Sequence, residues 1–327
     1  MTTRTLHPTY PTRPSVPALG TGRRILRAVA LASTVPYLAL KATWVAGSHI
    51  GIPEGSVLRE SGPVVVVANT ATLAMDACLI VLVLVLTRPW GMRVPGWLLT
   101  VPVFVATGLL TPILIGFPGQ MLLRAMGWGA GEAVRAAREP FLDPWVFAVV
   151  YGGFTLQGLA LAGLFVPYAR ERWGGRGPGA PRRRLPSPTG VVAGAVAVVG
   201  AAVGAVHLYW AFGGTAWLPA ARIAEYSAET GVVSVAHGAC ALAAGAGAVM
   251  LARGGKRPAR WPLALTWVGG SAAAAWGLWM LTMQLGLDFG PVEPPTVMIM
   301  LTYAGQTLTG LLAAAVLIRY LGSDRAA

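Results

Sequence analysis

Charge is what this sequence has least of. Asp, Glu, Lys and Arg make up 11% of its 327 residues, against about a quarter in soluble domains, so a water-facing globule is excluded and lipid is the indicated solvent. Cysteine is nearly absent as well. Cys78 and Cys240 are the whole supply, without CxxC or zinc-ligand spacing, so a disulfide framework is excluded. One bridge between them is the most that counting allows, and small apolar packing is the ordinary role. Acids are scarce, 12 against 25 bases. There is no Walker loop, no GxGxxG opening a soluble domain, no GxSxG elbow and no HExxH. The longest extramembrane loop spans about 25 residues, which excludes chemistry on a soluble domain.

Apolar runs fill the remainder. Stretches near 25–50, 63–86, 96–117, 145–168, 189–213, 230–252, 261–286 and 296–318 each approach or exceed the roughly 20 helical residues that cross a hydrocarbon core. A spanning barrel would alternate in segments of about 10 residues. Runs such as "LIVLVLVL" (79–86) do not alternate. The expected fold is all-α: a polytopic membrane protein of eight transmembrane helices. The Pro- and Thr-rich start has no apolar periodicity and reads as a disordered basic tail over 1–24. It is too polar for a cleaved signal peptide, and the first helix is expected to serve as an uncleaved anchor.

A net charge of +13 suggests nucleic acid until the charges are placed on this topology. The tails, 88–93, 170–184 and 253–260 hold 19 of the 25 Lys and Arg and only two acids, Glu171 and Asp324. The alternate loops hold five Arg and nine acids. This asymmetry predicts a plasma-membrane protein with both termini cytoplasmic. The Arg-rich loop 170–184 then faces anionic lipid headgroups rather than nucleic acid.

The sequence also repeats itself. "LKATWVAGSHIGIP" (40–53) and "VHLYWAFGGTAWLP" (206–219) superpose Lys41 on His207, Trp44 on Trp210, Gly47 on Gly213 and Pro53 on Pro219. Further along, Trp97 and Gln120 are 23 residues apart, as are Trp261 and Gln284, and "YGGFTLQG" (151–158) mirrors "YAGQTLTG" (303–310). Three matches in one order predict a duplication into two four-helix bundles, 25–168 and 189–320. A basic cytoplasmic linker, 169–188, joins them, and a short tail, 321–327, follows. Units with an even helix number enter from the same side, so these are parallel repeats about an axis along the membrane normal.

The His-x-Tyr-Trp-x-x-Gly-Gly ending at 207–214 resembles the signature of an uncharacterised family of small four-helix bacterial membrane proteins, a domain of unknown function. The second half, with His207, Tyr209, Trp210, Gly213 and Gly214, fits better than the first, which keeps Trp44 and Gly47. The resemblance implies a tandem copy of that domain and carries no activity. Gly, Ala and Arg usage resembles that of a high-GC actinobacterium. Haem A synthase is similar in helix count and repeat symmetry. However, that family places haem-binding histidines on the second and fourth helices of each bundle and uses Glu-x-x-x-His, neither of which occurs here.

Polar side chains in hydrocarbon are costly and mark interiors, pathways or sites. At 1.5 Å per residue, Lys41 falls roughly 13 Å, His207 about 9 Å, and Asn69 and His237 about 10 Å below the outer helix ends. Asp76 is on the Asn69 face, deeper. Tyr151, Tyr303, Gln306, Gln120 and Gln284 also belong to the outer half. The expectation is one polar, aromatic-lined, outward-facing chamber with Trp44, Trp210 and Trp217 at its mouth, although an aromatic belt is the favoured explanation of those rings. Pro102 and Pro112 should kink the third helix and free carbonyls, and Pro118 should end it. Lys41 and Asp76 can pair with each other or serve separately in anion binding and proton coupling.

Three function classes follow. Binding or transport of a small solute or lipid ranks first, with Lys41, Trp44, Asn69, Asp76, His207, Trp210, His237, Gln284, Tyr303 and Gln306 as ligand-binding or coupling residues. A non-catalytic accessory subunit of a membrane complex ranks second. A membrane redox enzyme ranks third, with haem or a metal on His207 and His237 and Cys240 as a further ligand.

Overall fold

The computed structural model describes residues 20–59, 63–132, 134, 141–173, 185–255, 259–286 and 294–323. The expected disordered tail up to residue 19, linker residues 174–184 and the last four residues lie outside them. The described chain is helical, without a β-strand. Its eight long helices are α1 (Thr21–Val45), α2 (Pro63–Thr87), α3 (Gly96–Ala125), α4 (Pro144–Trp173), α5 (Ser187–Ala211), α6 (Ala228–Arg253), α7 (Arg260–Gly286) and α8 (Val297–Ser323). Seven of these are long and apolar enough to cross a membrane; α7 falls short in mean hydropathy. The cause is composition: α7 spends positions on Trp261, Trp267, Trp276, Trp279, Ser271 and several glycines. The chain is therefore an all-α, multi-pass membrane protein.

Within the second half, α5, α6, α7 and α8 close a ring, each packed on the next and α8 returning to α5. Small residues set the spacing. A Cβ on Gly200 would meet the Ala241 carbonyl, one on Gly204 the Leu242 side chain, and one on Gly245 the Ala197 backbone, so α5 and α6 touch almost backbone to backbone. In the first half α1 packs on α4, α4 on α3, and α1 on α2. There α2 is buried along its C-terminal part, with Leu82, Val83, Val85, Leu86 and Thr87 in the core. Between residues 66 and 78, Asp76 is the one buried side chain.

The halves meet along α3, which lies across α6 and α7. Gly108 sits on the Ser271 carbonyl, and Gly119 faces Val232. Pro112 deprives the Gly108 carbonyl of its helical donor. The neighbouring Leu109 carbonyl accepts from Trp276 Nε1 at 2.9 Å, a bond across the seam beside the proline. Phe104 meets Trp267 edge-on at 5.2 Å.

Two boundaries depart from expectation. Pro118 does not end α3, which runs on to Ala125. The added turns are held from outside, because Gln120 donates to the Glu229 carbonyl at 3.2 Å and Arg124 to the Glu229 carboxylate at 2.6 Å. Helix α4 passes Pro167 and takes in Arg172, expected at the headgroups. Its guanidinium instead turns inward, donating to the Gly91 carbonyl at 3.3 Å, to the Val94 carbonyl and to the Tyr168 hydroxyl.

Candidate functional site

The two similar helix endings form the same turn. In the first copy the Gly47 N–H bonds Trp44 O and Ser48 N–H bonds Thr43 O. In the second, Gly213 N–H bonds Trp210 O and Gly214 N–H bonds Tyr209 O. Gly47 and Gly213 have φ +88° and +86°, the left-handed closure that favours glycine. Each tryptophan then clips the following loop. Trp44 Nε1 donates to Ile50 O at 2.8 Å and Trp210 Nε1 to Ala216 O at 3.2 Å. Both rings thus serve as loop fasteners as well as interfacial groups.

Above these turns the polar residues sort into two clusters, one per half, rather than into one chamber. In the first, Lys41 Nζ donates to Asn69 Oδ1 at 2.6 Å and lies 5.1 Å from the ring centroids of Tyr37 and Trp44. Asp76 is 3% exposed and its Oδ2 has no hydrogen-bond partner among the described residues. No salt bridge joins Lys41 to Asp76 there. Of the two arrangements open from sequence, the structure takes the unpaired one: the ammonium goes to a neutral amide and two rings, and the carboxylate stands apart.

In the second cluster Gln306 holds two histidines. Its Oε1 lies 3.0 Å from His207 Nε2 and its Nε2 lies 3.3 Å from His237 Nδ1. The imidazoles stack with centroids 5.5 Å apart at 29°. This pairing puts the His207 proton on Nε2, leaving the buried Nδ1 without a partner. Trp210 stands edge-on to His207 at 5.7 Å, and Trp276 to His237 at 5.4 Å. Tyr303 is buried against Trp210. Gln284, half-buried on α7, makes no hydrogen bond among the described residues and joins neither cluster.

As donors for a metal, the two histidines are engaged with an amide. Among the described residues no three His, Cys, Asp or Glu gather closely enough to hold an ion. Cys240 is buried and Cys78 exposed, both as free thiols. A cavity of about 260 Å³ does exist, but it is apolar and lies between α1 and α4, against Pro36, Ala39, Leu40, Ile50 and Trp145, so the polar clusters do not line it.

Sequence reasoning missed three contributors. Tyr37 is an aromatic among aromatics until the fold places it by Lys41. Trp276 aligns with the kink proline Pro112, which was the available signal. Glu229 precedes the expected start of the sixth helix by one residue. It caps that region at 3% exposure, bonded to Arg124 and, at 3.0 Å, to the Ala130 N–H.

Gln306→Leu keeps the volume but strips both imidazoles of their partner. It should destabilise the protein by about 2–4 kcal/mol, since buried polar groups left unpaired carry their full desolvation cost. Denaturant unfolding in mixed micelles measures this; a loss under about 0.5 kcal/mol would mean that the amide supports nothing.

No family model, curated protein or solved structure matches the chain.

Proposed function

We propose that the chain crosses the plasma membrane eight times as a tandem duplication, with both termini cytoplasmic, and that its first half binds a small solute or lipid at Lys41, Asn69 and Asp76. Several pairs support the duplication. With 44 set on 210, 69 on 237 and 151 on 303, Lys41–Asn69 and His207–His237 are contacts between equivalent positions. The same holds for Thr34–Gln157, bonded at 2.8 Å, and Gly200–Thr309, where a Cβ added to Gly200 would press on the Thr309 methyl. The repeated tryptophan clips add a third case. Contact between the equivalent helices α3 and α7 suits a dyad along the membrane normal. On this reading α7 spans despite its lower hydropathy, shielded by α3, α6 and α8.

The observation that carries the binding reading is Asp76. A buried carboxylate oxygen without a donor is among the most expensive groups a membrane interior can hold. A proton or a donor group from a ligand relieves that cost. The second half ties its two histidines together through Gln306 and leaves only a neutral ring nitrogen, His207 Nδ1, unpartnered in that cluster, so the halves divide their roles: one fastened, one reactive. The tight glycine seam along α3 favours movement of α2 within the first half over rocking of one half against the other. A role as accessory subunit draws support from the sealed second half alone and leaves Asp76 without a purpose.

The test uses dicyclohexylcarbodiimide, a lipid-soluble reagent for protonated carboxyls. Protein reconstituted in liposomes should be modified at Asp76, faster at acid pH, with Glu229 spared by its ion pair; Asp76→Asn should take up none at helix α2. Mass spectrometry locates the adduct. An unmodified Asp76 at every pH removes the reading.

A further inference from the structure

The first half differs from the second in how its second helix is held. Where α5 and α6 carry Gly200, Gly204, Gly238, Ala241 and Gly245, the equivalent positions of α1 and α2 carry Thr34, Leu38, Thr70, Leu73 and Ala77. The added bulk denies α1 and α2 the backbone approach seen between α5 and α6. Packing of α2 on α3 is correspondingly sparse beside that of α6 on α7. The N-terminal part of α2 therefore stands off, with Val66, Val67, Thr70, Ala71 and Ala74 exposed. Asp76 marks the point where burial begins.

Lys41 and Asp76 are buried in this half as opposite charges that act on one another at a distance but form no ion pair. A purely cationic ligand would satisfy Asp76 and leave Lys41 uncompensated, and an anionic one would do the reverse; in hydrocarbon either remainder is costly. A ligand carrying both charges compensates both. The exposed flank beside Asp76 belongs to a membrane-spanning helix, so a ligand reaching it comes laterally.

We infer that the ligand is a zwitterionic amphiphile entering from the bilayer beside the N-terminal part of α2, its ammonium on Asp76 and its anionic group on Lys41. Tyr37, Tyr151, Phe147 and Phe117, the last three stacked in series at 6.0 Å, offer the apolar wall for its chain. The inference rests on the binding reading above and names its substrate class.

Protection from the carbodiimide separates the two. In liposomes of otherwise neutral lipid, lysophosphatidylethanolamine should slow modification of Asp76 by about tenfold or more. Lysophosphatidylglycerol and a long-chain trimethylammonium should leave the rate within about twofold, and so should free phosphoethanolamine, which shares the head but lacks the chain. Lys41→Gln should let the trimethylammonium compound protect as well as the zwitterion does. Modification of Asp76 without protection by the lysolipid overturns the amphiphile while the binding reading stands. Equal protection by free phosphoethanolamine overturns lateral entry in favour of a water-borne zwitterion. Loss of modification altogether takes both readings down.

Discussion

A leucine at Gly310 should leave almost no folded protein to purify. Helices α7 and α8 cross so closely that a Cβ at 310 would fall on the backbone nitrogen, Cα and Cβ of Ala274, and one on Gly277 would meet the Thr307 backbone and hydroxyl. Backbone atoms cannot step aside as a flexible side chain does. Even Gly310→Ala should cost about 3 kcal/mol or more, at the upper end for overpacked cores. Removing the Ala274 methyl should not rescue it, because the nitrogen and Cα remain in the way. Gly152 and Gly194 are the controls: each is helical, with nothing within 4 Å of an added Cβ. Leucine there should be neutral or slightly stabilising, since helix propensity improves. Folded yield and thermal unfolding in detergent read the contrast; a Gly310→Leu protein as stable as Gly194→Leu would mean that α7 and α8 are not packed as described.

The second large effect belongs to the pair that ties α3 to the start of α6. Arg124 is half-exposed, with side-chain accessibility 49%, while Glu229 is buried at 3%, so the two partners should not be equivalent under mutation. Arg124→Leu takes the arginine from a buried carboxylate that keeps the Ala130 N–H as a donor and should cost about 3 kcal/mol. Glu229→Gln keeps the acceptor for Ala130 and lets the arginine turn to solvent, for a cost of about 1 kcal/mol. Unfolding midpoints of the two variants decide the order. If the glutamine variant is the weaker protein, the carboxylate is not the buried end of the pair.

Much of this was legible in the residues themselves. The eight apolar runs, the recurring turn and the pairing of Lys41 with Asn69's helix and of His207 with His237's follow from spacing, because like positions along similar helices meet like neighbours. That Pro112 leaves a carbonyl without its helical donor was also readable; that Trp276 bonds the neighbouring Leu109 carbonyl was not, since it comes from 164 residues away in the chain. The fate of the polar residues was the least legible part. A list of polar positions at similar depth cannot tell one chamber from two clusters, because that depends on which helices touch. The deciding residue was Gln306, where the first half carries Phe154: one amide closes the second cluster, and its absence leaves the first without a bridge. Pro118 misled for a similar reason, since a proline ends a helix only when nothing beyond it holds the next turn, and Glu229 does.

The uneven grip on α2 sets an order of disassembly. Ringed by α5, α6, α7 and α8 and pinned through α3, the second half forms the keel of the molecule. The α1–α2 hairpin reaches it at one remove, through α4 and α3. A harsh detergent or a steady pull should therefore peel the molecule from that corner first. The part held most loosely at rest is also the part the membrane itself must help to keep in place.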